Sequence, residues 1–264
     1  MKRKVTIIAI LLIITGLIGM AVTGKDYFSF ERTEGEKTFS SQEVREIFVE
    51  SNVSDVTFLP SADQDVQVKW EGKIRSEVSS EIDINLEDGR LTVDLKGDSF
   101  FKFFQFPWNN YSIKVYVPED ILEKLVIDSS VGDIRIEDLG AKELHVKTDV
   151  SDVELKGVRA EKLQVSSSVG DIRIEDSHGK LEADNDVGNI RIRARAITGD
   201  MNVKTNVGDI ILETSDSEEA SIFGSSDIGS ISIFNGKETK YLIEDAKYII
   251  DLKTNVGDIK VSDL

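Results

Sequence analysis

The chain has 264 residues, 40% of them hydrophobic and 31% charged, so it is long and apolar enough to build a core. Its formal net charge of −17 repels nucleic acid and other polyanions, and no nucleic-acid partner is expected. There is no cysteine, which excludes disulfides, thiolate metal sites and lipid attachment through a cysteine.

Lys2, Arg3 and Lys4 make residues 1–4 a basic tip ahead of an uncharged apolar run over residues 5–22. As a helix at about 1.5 Å per residue, that run spans about 27 Å, close to a bilayer core. A cleaved secretory signal and an uncleaved signal anchor compete as readings. The run is longer than a usual signal core, and Met20-Ala21-Val22-Thr23-Gly24 matches a small-x-small cleavage site poorly. A transmembrane anchor is therefore favoured, making the bilayer a partner through residues 5–22. The basic tip stays cytoplasmic by the positive-inside rule. The expected address is the cell membrane, single-pass, with an extracytoplasmic body. All 49 acidic residues then lie outside, where the net charge is −20. Residues 23–43 are polar, without a sustained period, and read as a linker.

Residues 44–264 read as one extracytoplasmic body. Its first repeat copy is Val53-Ser54-Asp55-Val56, followed by a different kind of segment over 61–120. Alternating strands are expected from Asp65 to Trp70, Glu81 to Leu86, Leu91 to Leu95 and Tyr111 to Val117, with Asp88-Gly89 turning a hairpin. This hairpin-rich stretch reads as a capping sheet, because an open stack of rungs exposes a strand edge. Within it, Phe100, Phe101, Phe103, Phe104, Phe106, Trp108 and Tyr111 crowd around Lys102, Pro107 and two asparagines. They read either as a plug over the body's end or as an exposed loop that touches the membrane interface or a membrane partner. They are the candidate interaction surface.

From Val131 the string Val-Gly-Asp-Ile and its variants start at 131, 150, 169, 187, 207, 228 and 256, making eight copies with Val53. Steps near 20 residues are one rung of a solenoid. Each rung reads as two short strands meeting at a corner. Leu163, Val165, Ser167 and Val169 are expected on one inward face, which resumes at Ile172 and Ile174 after a slip at Gly170-Asp171. Stacking at about 4.8 Å gives eight rungs a length of roughly 38 Å. One inward column is polar throughout: Ser51, Ser129, Thr148, Ser167, Asn185, Thr205, Ser226 and Thr254. It reads as a hydrogen-bonded ladder, or else as a polar groove. The corner column Asp55, Asp133, Asp152, Asp171, Asn189, Asp209, Ser230 and Asp258 reads as turn capping in preference to calcium binding, since the nonapeptide signature of calcium-binding β-rolls is absent.

His145 and His178 are the two histidines, one in a strand and one in a turn, without a nucleophile–base companion. No nucleotide, hydrolase or zinc motif occurs, and no catalytic, cofactor or metal residue is assigned. Carboxylates abound, but they recur at the same turn position in every rung, as structural residues do. A polysaccharide-acting enzyme is the least favoured reading.

The expected fold class is therefore all-β: a single-stranded β-solenoid of about 20-residue rungs with an N-terminal capping sheet, preceded by one transmembrane helix. The VGDI corners and the Leu163-to-Asp176 rung (LQVSSSVGDIRIED) resemble the adhesin-like family of bacterial β-strand-repeat proteins, over roughly residues 44–264. The resemblance implies a toast-rack fold, an extracytoplasmic location and a setting in the cell-envelope stress response. It brings no established ligand or catalytic residue. The function expected is a membrane-anchored, non-catalytic interaction module, with envelope-stress membrane proteins as partners. The alternative is a surface carbohydrate-binding or adhesive protein, with a cell-wall polymer as ligand.

Overall fold

In the computed structural model, residues 30–75, 82–95, 110–119, 122–216 and 218–264 are described. They contain twenty-one strands and no helix. The apolar run 5–22 lies outside them, and among the described residues no helix is long and apolar enough to cross a membrane.

Each repeat copy gives a longer strand, a corner and a shorter strand. The long strands are β7 (Leu122–Val131), β9 (Gly140–Val150), β11 (Arg159–Val169), β13 (His178–Val187), β15 (Met201–Val207), β17 (Ala220–Ile228) and β20 (Tyr248–Val256). Their short partners are β8 (Ile134–Glu137), β10 (Val153–Lys156), β12 (Ile172–Glu175), β14 (Ile190–Ala194), β16 (Ile210–Thr214), β18 (Ile231–Ile233) and β21 (Ile259–Asp263). β2 (Glu46–Pro60) is long enough to be both halves of the first rung. Long strands pair in parallel with long ones and short with short, so the rungs form two sheets joined by a line of corners. Leu163, Val165, Ile172 and Ile174 face the space between them and are buried.

The corner departs from the expected parity. Ser167 is buried, but Val169 is 45% exposed. The chain swings outward one residue earlier than period-two counting allows, so the valine lands on the outside of the bend. Gly170 makes that bend possible. Its φ is +136°, and a Cβ there would sit 2.0 Å from the Ser151 carbonyl oxygen of the preceding rung.

The rungs do not stack in chain order. β15 pairs with β20, and β17 pairs with β20 on the other side. Likewise β21 lies between β16 and β18. The chain leaves β16, skips one slot and builds the outermost rung from β17 and β18. After β19 (Lys240–Tyr241) it returns, and β20 and β21 fill the gap.

At the opposite end both sheets continue past the first rung. β3 (Asp65–Arg75) and β6 (Asn110–Val117) extend the short-strand sheet, while the hairpin of β4 (Ile82–Glu87) and β5 (Arg90–Leu95) extends the other. Asp88 and Gly89 both take positive φ in the hairpin turn. The cap is thus an extension of both sheets. Residues 30–40, expected within a linker, form β1 (Phe30–Ser40), antiparallel to β3. Arg32, Glu34 and Glu36 on its exposed face hide the strand from a hydrophobic reading. Gly35 lies under the Trp70 indole, where a Cβ would come within 2.2 Å of the ring. The Lys37 ammonium donates to the Ile84 carbonyl at 3.0 Å, tying edge strand β1 to edge strand β4 and blunting both against further pairing.

Gly170→Ala is expected to destabilise the body by about 2–4 kcal/mol, through positive φ plus collision with rigid backbone; urea titration measures it. The rung order makes a second prediction. Amides of β17 and β18 are held to the body through β20 and β21, so hydrogen exchange should show both pairs opening together, faster than β13 and β14. Exchange of β17 amides as slow as those of β13 would contradict that coupling.

Candidate interaction surfaces

The acidic corner column is architecture. Asp55 Oδ1 accepts the main-chain N–H of Asp133, and the same bond repeats from Asp133 to Asp152, Asp152 to Asp171, Asp171 to Asn189, Asn189 to Asp209, Asp209 to Asp258 and Asp258 to Ser230, at 2.7–3.3 Å. These amides lie at the bend, where the sheet ladders are interrupted, and each takes the neighbouring rung's side chain instead. Ser230 replaces the aspartate in the outermost rung, where no following rung offers an N–H. Asn189 keeps the needed oxygen without the charge. The Asp171 amide, then Arg173, holds the Asp152 carboxyl below the usual carboxylate range. Arg173 Nη1 lies 3.0 Å from Asp152 and Nη2 lies 2.8 Å from Asp171.

The inward polar column is also consumed by the corners. Asn185, Thr205, Thr254 and Ser226 donate to the glycine carbonyl of an adjacent corner at 2.8–3.1 Å. In rungs whose corner residue is serine, Ser51 pairs with Ser54 and Thr148 with Ser151. The hydroxyls of Ser129 and Ser167 have no hydrogen-bond partner; both follow a rung with a serine corner. The column is a wall of the core, not a groove.

Two outward-facing features remain. The first is a ridge along the corners. Val131, Val150, Val169, Val187, Val207, Val256 and Ile228 are in direct register and are 42–68% exposed. At about 4.8 Å per rung they form an apolar line about 29 Å long. Beside it run Asp149, Asp186, Asn206 and Asn255 on one side and the aspartate ladder on the other.

The second is on the outer face of the long-strand sheet. His145, Gln164, Glu182 and Asn202 stand in register on four adjacent strands and floor a groove of about 510 Å³. Each lies six residues before its corner Gly or Ser, a spacing readable in the sequence but masked by its varied residue types. Gln164 donates to Glu182 at 2.6 Å, and this bond, with help from nearby lysines, lowers the Glu182 pKa. Burial and the Lys124 charge lower the His145 pKa, so the imidazole is neutral at pH 7.

Of the expected surface aromatics, Phe100, Phe101, Phe103, Phe104, Phe106 and Trp108 lie outside the described residues. Tyr111 is not a surface residue. It sits in β6 at 4% exposure, on the same inward face as Ile113 and Val115, because strand alternation points it into the core. Among the described residues no cluster of three or more His, Cys, Asp or Glu is arranged to hold a metal ion.

Two facing sheets of stacked parallel rungs, joined at glycine corners, define a toast-rack protein. The sequence profile of the Toastrack DUF4097 family matches residues 44–181 and again 122–262, so the chain belongs to that family. No curated protein matches it. Similar crystal structures include a candidate adhesin from Bacteroides fragilis, 18% identical, with a TM-score of 0.48, 87% of this chain covered and 97% of that one. A candidate cell adhesion protein from Clostridium sporogenes is 12% identical, with a TM-score of 0.43 and coverage of 89% and 100%. A candidate lipid-binding protein from Parabacteroides distasonis is 14% identical, with a TM-score of 0.41 and coverage of 89% and 97%.

Replacing Asp152 with Ala removes the acceptor for the Asp171 amide and is expected to cost about 1–2 kcal/mol, the lower figure reflecting its exposure. Because the folded pKa is depressed, this stabilisation is complete above the unfolded value near 4 and is lost as pH falls through the folded value. Asp152→Asn, which imitates Asn189, should lose less at pH 7 and show a shallower loss between pH 5 and pH 3. Urea midpoints across that range measure both.

Proposed function

We propose that this protein is a membrane-anchored, extracytoplasmic, non-catalytic interaction module of the bacterial envelope. The observation that carries the reading is the exposed ridge of Val131 to Val256 and Ile228. Seven β-branched apolar side chains in register serve no core, and soluble proteins rarely leave so long an apolar line open without a partner. The acidic and amide rows flanking it select a partner surface that is apolar along its centre and basic at its margins. The recurring carboxylates support a non-catalytic role, because the corner ladder uses them in rung after rung. Residues 5–22 supply the anchor, and the aromatic segment from Phe100 to Trp108 adds contact with the membrane interface or a membrane protein. Membrane proteins of the envelope stress response are the partners this arrangement serves.

Val150, Val169, Val187 and Val207 changed together to Thr keep β-branched shape while removing apolar surface. Stability is expected to change by less than about 2 kcal/mol, since each site is half exposed. Photo-crosslinking of the full-length tagged chain in living cells should give protein adducts that this variant loses. Undiminished adducts would move the interface off the ridge. No protein adduct from the wild-type chain would overturn the module reading.

A further inference from the structure

The groove on the outer face of the long-strand sheet has a chemistry of its own. Two of its polar atoms, His145 Nε2 and Asn202 Oδ1, are buried without a hydrogen-bond partner. Glu143 lies 3.5 Å from His145 Nε2 but makes no aligned bond to it. Between these orphans, Gln164 and Glu182 satisfy one another and hold the floor flat. A carbonyl-type oxygen needs a donor. A neutral imidazole nitrogen needs an acceptor or a donor according to its tautomer. A hydroxyl serves all three needs.

The wall beside this floor carries Asp128, Lys147, Ser166, Asp184 and Lys204, so with Glu182 on the floor two lysines face three carboxylates and the groove is nearly neutral on a body that is strongly acidic elsewhere. A nearly neutral, slightly negative groove gives no pull on a polyphosphate and does not repel an uncharged chain. The floor runs across the strands, so polar groups recur at about 4.8 Å, a repeat that suits an extended chain lying perpendicular to the strands.

We propose that this groove binds a linear, uncharged, hydroxyl-rich glycan, with His145 and Asn202 taking its hydroxyls. The inference rests on the module reading and names a second, carbohydrate partner on a face separate from the valine ridge.

The test uses the full-length chain in detergent micelles. Its retention is measured on insoluble chitin, an uncharged N-acetylglucosamine polymer, its affinity for soluble N-acetylglucosamine hexamer by calorimetry, and its binding to purified teichoic acid. Wild type should bind the first two, with little change in 0.5 M salt. His145→Ala with Asn202→Ala should weaken binding at least tenfold with an unchanged melting temperature. Arg191→Ala, on the other sheet, should bind as wild type. Undiminished binding by the double variant, no glycan binding by wild type, or salt-sensitive binding to teichoic acid alone would each overturn the proposal. If glycan binding fails while the ridge-dependent crosslinks persist, the site falls and the module reading stands.

Discussion

At each corner a side-chain oxygen of one rung takes the main-chain N–H of the next, and the rest of the body depends on that bond. Parallel strands satisfy each other along their lengths, but a chain that bends between two sheets interrupts both ladders at the bend. An unbonded amide there would cost about as much as a lost hydrogen bond in every rung. The aspartate removes that cost, and the glycine before it gives the neighbouring backbones room to close. The VGDI string is the minimum wording of this joint: a glycine to bend, an oxygen to receive, and an apolar residue to resume the core.

Because the joint is repetitive, most of the architecture is legible in the sequence. The period, the paired strands, the inward polar column and the role of the aspartates all follow from residues at fixed offsets. Val169 and its equivalents depart from the alternation because period-two parity does not carry through the corner. Strand β1 gives little apolar signal, because its exposed face is charged and on the opposite face Thr33, Gly35 and Lys37 leave Phe39 to pack on the core. The rung order was illegible for a deeper reason. Identical corners accept any neighbour, so local chemistry cannot say which rung lies beside which. The one trace is Ser230, whose missing carboxylate marks an outer rung.

The candidate surfaces were less legible than the fold. A repeat advertises what it conserves from rung to rung, and those residues hold the rack together. The groove floor is built from positions that vary, His145, Gln164, Glu182 and Asn202, which share an offset but no residue type. The toast rack thus spends its corner glycines and aspartates on structure, and leaves the valine ridge beside them and the varied sheet faces open to solvent.

The inserted rung sets a condition on biosynthesis. A chain that emerges in order of synthesis presents β17 and β18 before the strands that attach them exist. Until residues 248–263 arrive, the nascent body shows a bare edge on β15 and β16, and a detached hairpin-sized fragment beside it. A polypeptide cut short in this stretch is therefore marked by open strand edges, ready to pair with another chain.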